Sequence, residues 1–164
     1  MIFDKNINLS GKHATYLKFL SKKTTELKGD AISAEIFKRH IDVYMAGVMF
    51  GLLKNIKAEI DTTNKDNITI FAEQVIKEQS RLIHLYRIVM LLDNKALSDD
   101  ERIDLAFRYT ADADKVKAGM DVFNAYARGG IEWLYEKLTD GATTKEDYLQ
   151  KLVEIIDEFQ QDFA

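Results

Sequence analysis

The chain contains no cysteine among its 164 residues. That excludes disulfides, thiolate metal sites and cysteine nucleophiles, and it fits a reducing compartment. Proline is also absent, although average usage is about 5%. A helical fold does without it most easily, because proline breaks helix interiors. Long apolar runs are missing too. The longest, residues 43–53, is interrupted by Gly47 and Gly51, and it falls short of the roughly 18–20 residues a membrane helix needs. The opening Met1-Ile2-Phe3-Asp4-Lys5-Asn6 has no basic stretch leading into an apolar core, so no secretory signal is expected. These absences lead us to expect a soluble, cytoplasmic protein with no membrane contact.

Histidine is scarce. His13, His40 and His84 lie outside any Glu-x-x-His or His-Glu-x-x-His spacing, so the helix-borne di-iron and zinc-protease signatures are missing. There is no glycine-rich phosphate loop and no Gly-x-Ser-x-Gly elbow, the usual marks of nucleotide binding and of a serine nucleophile. No catalytic residue, metal or cofactor is therefore expected, and an enzyme has no residue constellation behind it.

What is present is 46% hydrophobic and 30% charged residues, a balance that suits a globular helical protein and argues against disorder. The length fits one domain, since a domain holds about 100–200 residues. The expectation is an all-α, single-domain bundle of five to six helices over residues 1–164. Apolar spacing at three and four residues marks the helices. The first starts after Ser10, buries Tyr16, Leu17, Phe19, Leu20 and Leu27, and stops at Lys28-Gly29-Asp30. A second opens near Ser33 and runs to about residue 56; it is the most apolar and is expected at the centre. Gly47 and Gly51 lie four apart on one of its faces, and each costs about 1 kcal/mol against alanine. Close approach of another helix, or of a ligand, would justify that cost.

A polar stretch at residues 61–67 separates this helix from a long one expected over 68–93. Ser98-Asp99-Asp100-Glu101 has capping-box spacing and an acidic first turn, a strong start for a short helix. Asp112-Ala113-Asp114 opens a further helix through Phe123, Tyr126 and Trp133, with a kink expected at Gly129 and Gly130. The aromatic residues of this helix read as packing residues. A last amphipathic helix follows Thr143 and Thr144, with Tyr148, Leu149, Leu152, Val153, Ile155, Ile156 and Phe159 facing inward. No strand pattern stands out.

The net charge of −4 hides an asymmetry. Residues 1–57 carry ten Lys/Arg against five Asp/Glu, a net of +5, and residues 58–164 carry thirteen against twenty-two, a net of −9. Such asymmetry fits nucleic-acid contact, or the neutralisation of one half by the other within a bundle or between subunits. Two basic groupings stand out: Lys38-Arg39-His40, near the lysine-rich first helix with Lys22 and Lys23, and the stripe Lys77, Arg81, His84 and Arg87. Lys22, Lys23, Lys38, Arg39, Arg81 and Arg87 are the candidate phosphate contacts. The same residues also read as a solvated face, or as one paired with the acidic half.

The segment Ile36-Phe37-Lys38-Arg39-His40-Ile41-Asp42-Val43-Tyr44-Met45-Ala46-Gly47-Val48-Met49-Phe50-Gly51 resembles an early helix of small accessory proteins in bacterial DNA phosphorothioation (Dnd-type) phage-defence systems. Leu97-Ser98-Asp99-Asp100-Glu101 and Val122-Phe123-Asn124-Ala125-Tyr126-Ala127-Arg128-Gly129-Gly130-Ile131-Glu132-Trp133-Leu134 are similar to that group's later segments. The resemblance implies a non-enzymatic accessory factor acting on or near DNA beside larger partners. It transfers no catalytic residue, and neither the long helix expected over 68–93 nor the acidic last helix is part of it. The alternative is a helical protein–protein interaction module or homo-oligomeric scaffold with no nucleic-acid role.

Overall fold

The computed structural model describes residues 2–21, 36–108 and 112–162. In chain order the elements are β1 (Ile7–Ser10), α1 (Gly11–Ser21), α2 (His40–Lys54), β2 (Asn67–Ile70), α3 (Ala72–Lys77), α4 (Gln79–Leu92), α5 (Asp99–Phe107), α6 (Ala113–Thr139) and α7 (Lys145–Asp162). Helix dominates, as expected. The expectation of an all-α bundle of five or six helices is nonetheless corrected: the described residues form seven helices and a two-stranded antiparallel sheet.

The sheet pairs Ile7 with Ile70 and Leu9 with Ile68. Leu9 and Ile70 are buried, while Thr69 donates to Asn8 across the strands at 2.8 Å on the wet face. Ile68, Thr69 and Ile70 are β-branched, which favours a pleated surface over a helix. The helix expected over 68–93 is therefore three elements, β2, α3 and α4. Its second break falls at Glu78, where the backbone leaves helical values (φ −100°, ψ 8°).

Loop 61–66 clamps the start of α1. Asp61 Oδ2 accepts the Lys12 N–H at 2.7 Å, and the Asp66 carboxylate accepts from Thr15 Oγ1 at 2.7 Å and from Lys18 Nζ. α1 has no acidic residue in its own first turn, so Asp61 supplies the negative charge a helix N-terminus favours. Residues near Ser33 and the Lys28-Gly29-Asp30 stop lie outside the described residues. α2 itself starts at His40, later than expected, after an extended Arg39 whose guanidinium bonds Asp42 in the first turn.

Two helix starts are as the sequence predicts. Ser98 and Glu101 form a reciprocal capping box on α5, and Asp112 accepts the Asp114 and Lys115 N–H groups at the head of α6. The kink expected at Gly129 and Gly130 is absent, because α6 runs unbroken from Ala113 to Thr139. Those glycines instead let α2 and α6 meet backbone to backbone. A Cβ at Gly130 would land on the Gly47 carbonyl oxygen, and one at Gly51 on the Tyr126 carbonyl oxygen. Of the two explanations for Gly47 and Gly51, close approach of another helix is the observed one. Around this contact Tyr44, Val48, Phe123, Tyr126 and Ile131 are buried, and Leu82, Tyr86 and Val89 of α4 join the same core.

Candidate functional site

α2 has two sides with different fates. The side with Gly47 and Gly51 is closed by α6, and the opposite side carries Met49, Leu52 and Leu53. Together with Leu85, Ile88 and Leu92 of α4 and Phe159 of α7, these residues line an open apolar groove of about 990 Å³. Leu53 is 42% exposed, Leu92 53%, Val153 52% and Ile156 46%. Scattered exposed apolar side chains are ordinary, but a contiguous patch marks an interaction site.

α7 extends this patch. Only Tyr148 and Ile155 of its apolar residues are buried. Phe159 packs on Phe50, and Lys54 of α2 holds Glu158 at 2.7 Å and Asp162 at 3.2 Å. Leu149, Val153 and Ile156, expected to face inward, instead form an exposed stripe. The physical reason is breadth. At about 100° per residue, the apolar arc of α7 spans roughly 160°, more than one neighbouring surface covers. Exposed Glu154 and Asp157 border that stripe. On α4, Arg81 and His84 share the helical face of Ile88 and Leu92, and His84 and Lys95 line the groove. The α4 side thus carries Arg81, His84 and Lys95, with Asp93 held by Lys57, and the α7 side carries Glu154 and Asp157, with Lys151 3.6 Å from Glu154.

The sequence-selected cations are divided. Arg39 donates to Asp42 and, through Nη1, to Glu78 Oε1 at 2.9 Å, while Arg81 Nη1 reaches Glu78 Oε2 at 3.2 Å. These two arginines are brought together, but on a shared carboxylate. The carboxylates hold the Arg39 pKa above its ordinary value. Lys38 is exposed beside them. Arg87 lies apart, its guanidinium 4.9 Å from the Phe107 ring centre, with a buried Nε that has no partner among the described residues. Lys22 and Lys23 lie outside the described residues. Lys77 pairs with Glu73 at 3.0 Å, as their spacing suggests.

Another polar cluster sits where α1 crosses α6. His13 is fully buried, with Nε2 2.6 Å from Glu132 Oε1, which also holds Lys12 Nζ at 2.9 Å. Burial pushes the His13 pKa down against the pull of Glu132. Hydrogen bonds from Lys12 and His13 outweigh the effect of burial on Glu132 and hold its pKa below the usual value. Among the described residues no group of three His, Asp or Glu side chains could hold a metal ion, and no helix is long and apolar enough to cross a membrane.

Sequence reasoning missed the groove residues Met49, Leu53 and Leu92 and the exposed Val153 and Ile156 of α7 as a surface, because helical periodicity identifies an apolar face without saying whether anything covers it. The excess width of the α7 stripe was the available signal. Comparison with protein-family models, with curated proteins and with solved structures found no match to this chain.

Proposed function

We propose that the chain is a non-enzymatic helical interaction module that self-associates through the apolar face of α2, α4 and α7. The observation that carries this reading is the groove between α2 and α4, continued by the exposed stripe Leu149, Val153 and Ile156. A second copy is the occupant that the charges favour. In a two-fold pairing each copy uses the same patch, so the basic α4 of one meets the acidic α7 of the other. Arg81, His84 and Lys95 then face Glu154 and Asp157 of the partner, and the apolar stripes meet between them.

The absence of cysteine makes the test direct. With His84→Cys and Asp157→Cys in one chain, mild oxidation is expected to yield covalent dimers, and either substitution alone is expected to yield few. Equal and low cross-linking in all three chains would count against this pairing.

An accessory role beside DNA, as the resemblance implies, is the second reading. It is supported by Arg39 and Arg81 meeting at Glu78, with the exposed Lys38 next to Arg39 in the chain. Asp42 and Glu78 already engage both arginines, so phosphates would have to displace them, which favours the first reading. Steeply salt-dependent binding of a duplex, lost on Lys38→Glu, would reverse that order.

A further inference from the structure

A separate, polar cavity of about 620 Å³ opens between β1, residues 57–60 and α6. Arg128 reaches it half-buried. Its Nε donates to the Ala58 carbonyl oxygen at 2.8 Å, which fixes the guanidinium plane. Glu132, one helical turn along, is the natural partner for such an arginine. Here it is turned toward His13 and Lys12 instead. Among the described residues Nη1 and Nη2 of Arg128 have no acceptor, and no carboxylate lies within ion-pair distance. Burial pushes the Arg128 pKa down, and Glu59, Tyr44 and Asp121 oppose that only partly.

A third donor stands nearby. Tyr44, fully buried, gives its O–H to Asn124 Oδ1 at 2.5 Å. That bond orients the amide and leaves Asn124 Nδ2 without an acceptor among the described residues. The lysines of the cavity are already engaged: Lys57 with Asp93 at 2.5 Å, and Lys117 with Asp121 at 2.8 Å. Glu59 on the same wall acts on Arg128 at longer range. The cavity therefore suits a single negative charge, and a phosphate dianion would exceed what Arg128 can balance. Two parallel Nη donors match the two oxygens of a carboxylate. Leu9, Val122 and Ile60 supply an apolar wall, with Ile60 63% exposed at the rim.

We infer that this cavity binds a small organic monocarboxylate, its oxygens on Arg128 Nη1 and Nη2 and Asn124 Nδ2, its apolar part against Ile60 and Val122. This site shares no residue with the proposed self-association face, so either can fail alone.

The test is a side-chain ¹⁵N NMR titration of the full chain with hexanoate, with hexanamide and inorganic phosphate as comparison probes. The Arg128 Nε–H and Asn124 Nδ2 signals are expected to shift saturably with hexanoate, and both comparison probes to bind at least about tenfold more weakly. Arg128→Gln should abolish the response. Arg128 also ties down residue 58, so Ile60→Ser serves as a variant at an exposed position. It should weaken hexanoate about three- to tenfold while leaving the spectrum of the fold intact. No saturable shift in the millimolar range would overturn the assignment. So would equal binding of hexanamide or phosphate, or an Ile60→Ser chain that binds hexanoate unchanged.

Discussion

The two sides of α2 make an instructive pair. Toward α6, glycines at 47, 51 and 130 let backbone meet backbone, with Ile131 packed on Gly47, and the flanking Tyr44, Val48 and Tyr126 are sealed from water. Toward α4 and α7, the same helix presents Met49 and Leu53 to an open groove. Both sides are apolar, and only one is satisfied within the chain. Amphipathicity alone therefore does not separate a core from an interface; the distinction is whether a neighbouring backbone comes close enough to cover the side chains.

The largest effect should come from breaking the closed side. Gly130→Ala places a methyl group on the Gly47 carbonyl oxygen, and neither backbone can move without unpacking the core. Overpacking of this kind costs typically about 1–3 kcal/mol and occasionally more, and the upper end of that range is expected here. Urea unfolding of the variant against the parent chain measures it; a loss under about 0.5 kcal/mol, the scale of surface substitutions, would mean the helices can separate freely.

The open side should respond in the opposite manner. Val153→Asp with Ile156→Asp, at half-exposed positions, is expected to weaken self-association by about a hundredfold or more, as for residues central to an interface. Unfolding free energy of the isolated monomer should change by less than about 1 kcal/mol. A large loss of monomer stability would show instead that the α7 stripe belongs to the core.

The acid limb of stability reports in part on the clamp of α1, beside the Glu158 contact with Lys54 of α2. Hydrogen bonds from Lys18 and Thr15 hold the Asp66 pKa below the usual carboxylate value, and backbone and hydroxyl donors do the same for Asp61. Carboxylates with folded pKa values below their unfolded ones stabilise fully above the unfolded value and lose that contribution as pH falls through the folded one. Stability should thus be flat near neutrality and fall below about pH 4. Asp66→Asn is expected to cost about 1–2 kcal/mol at pH 7 and to shallow that acid slope, as followed by thermal unfolding at several pH values.

The smallest expected effect is electrostatic. Arg81 is 72% exposed and bonded to Glu78, so Arg81→Glu should leave folding nearly unchanged. If the basic α4 of one copy meets the acidic α7 of another, it should weaken the dimer about three- to fivefold at low salt and less at high salt. Sedimentation velocity at two ionic strengths reads that difference.

Local signals in the sequence were dependable where the physics is local. The Ser98 capping box and the Asp112 cap both depend on residues within four positions, and both appear in the fold. β2 was absorbed into a helix because Ile68 and Ile70 have their partners in β1, some sixty residues away, beyond any window of periodicity. The kink expected at Gly129 and Gly130 failed for a related reason. Glycine weakens a helix locally, but a tertiary contact with α2 holds this one straight. Arg39 and Arg81 were legible as cations, whereas their convergence on Glu78 was not, since that depends on how α2 meets the junction of α3 and α4. Arg128 carried no signal: what distinguishes it is that Glu132 is bound elsewhere.

The most direct test of the uncovered face is sedimentation equilibrium of the cysteine-free chain from low to high micromolar concentration. The proposed self-association requires a monomer–dimer equilibrium that Val153→Asp with Ile156→Asp converts to monomer throughout. A chain that stays monomeric across that range, or a dimer indifferent to both substitutions, would contradict it.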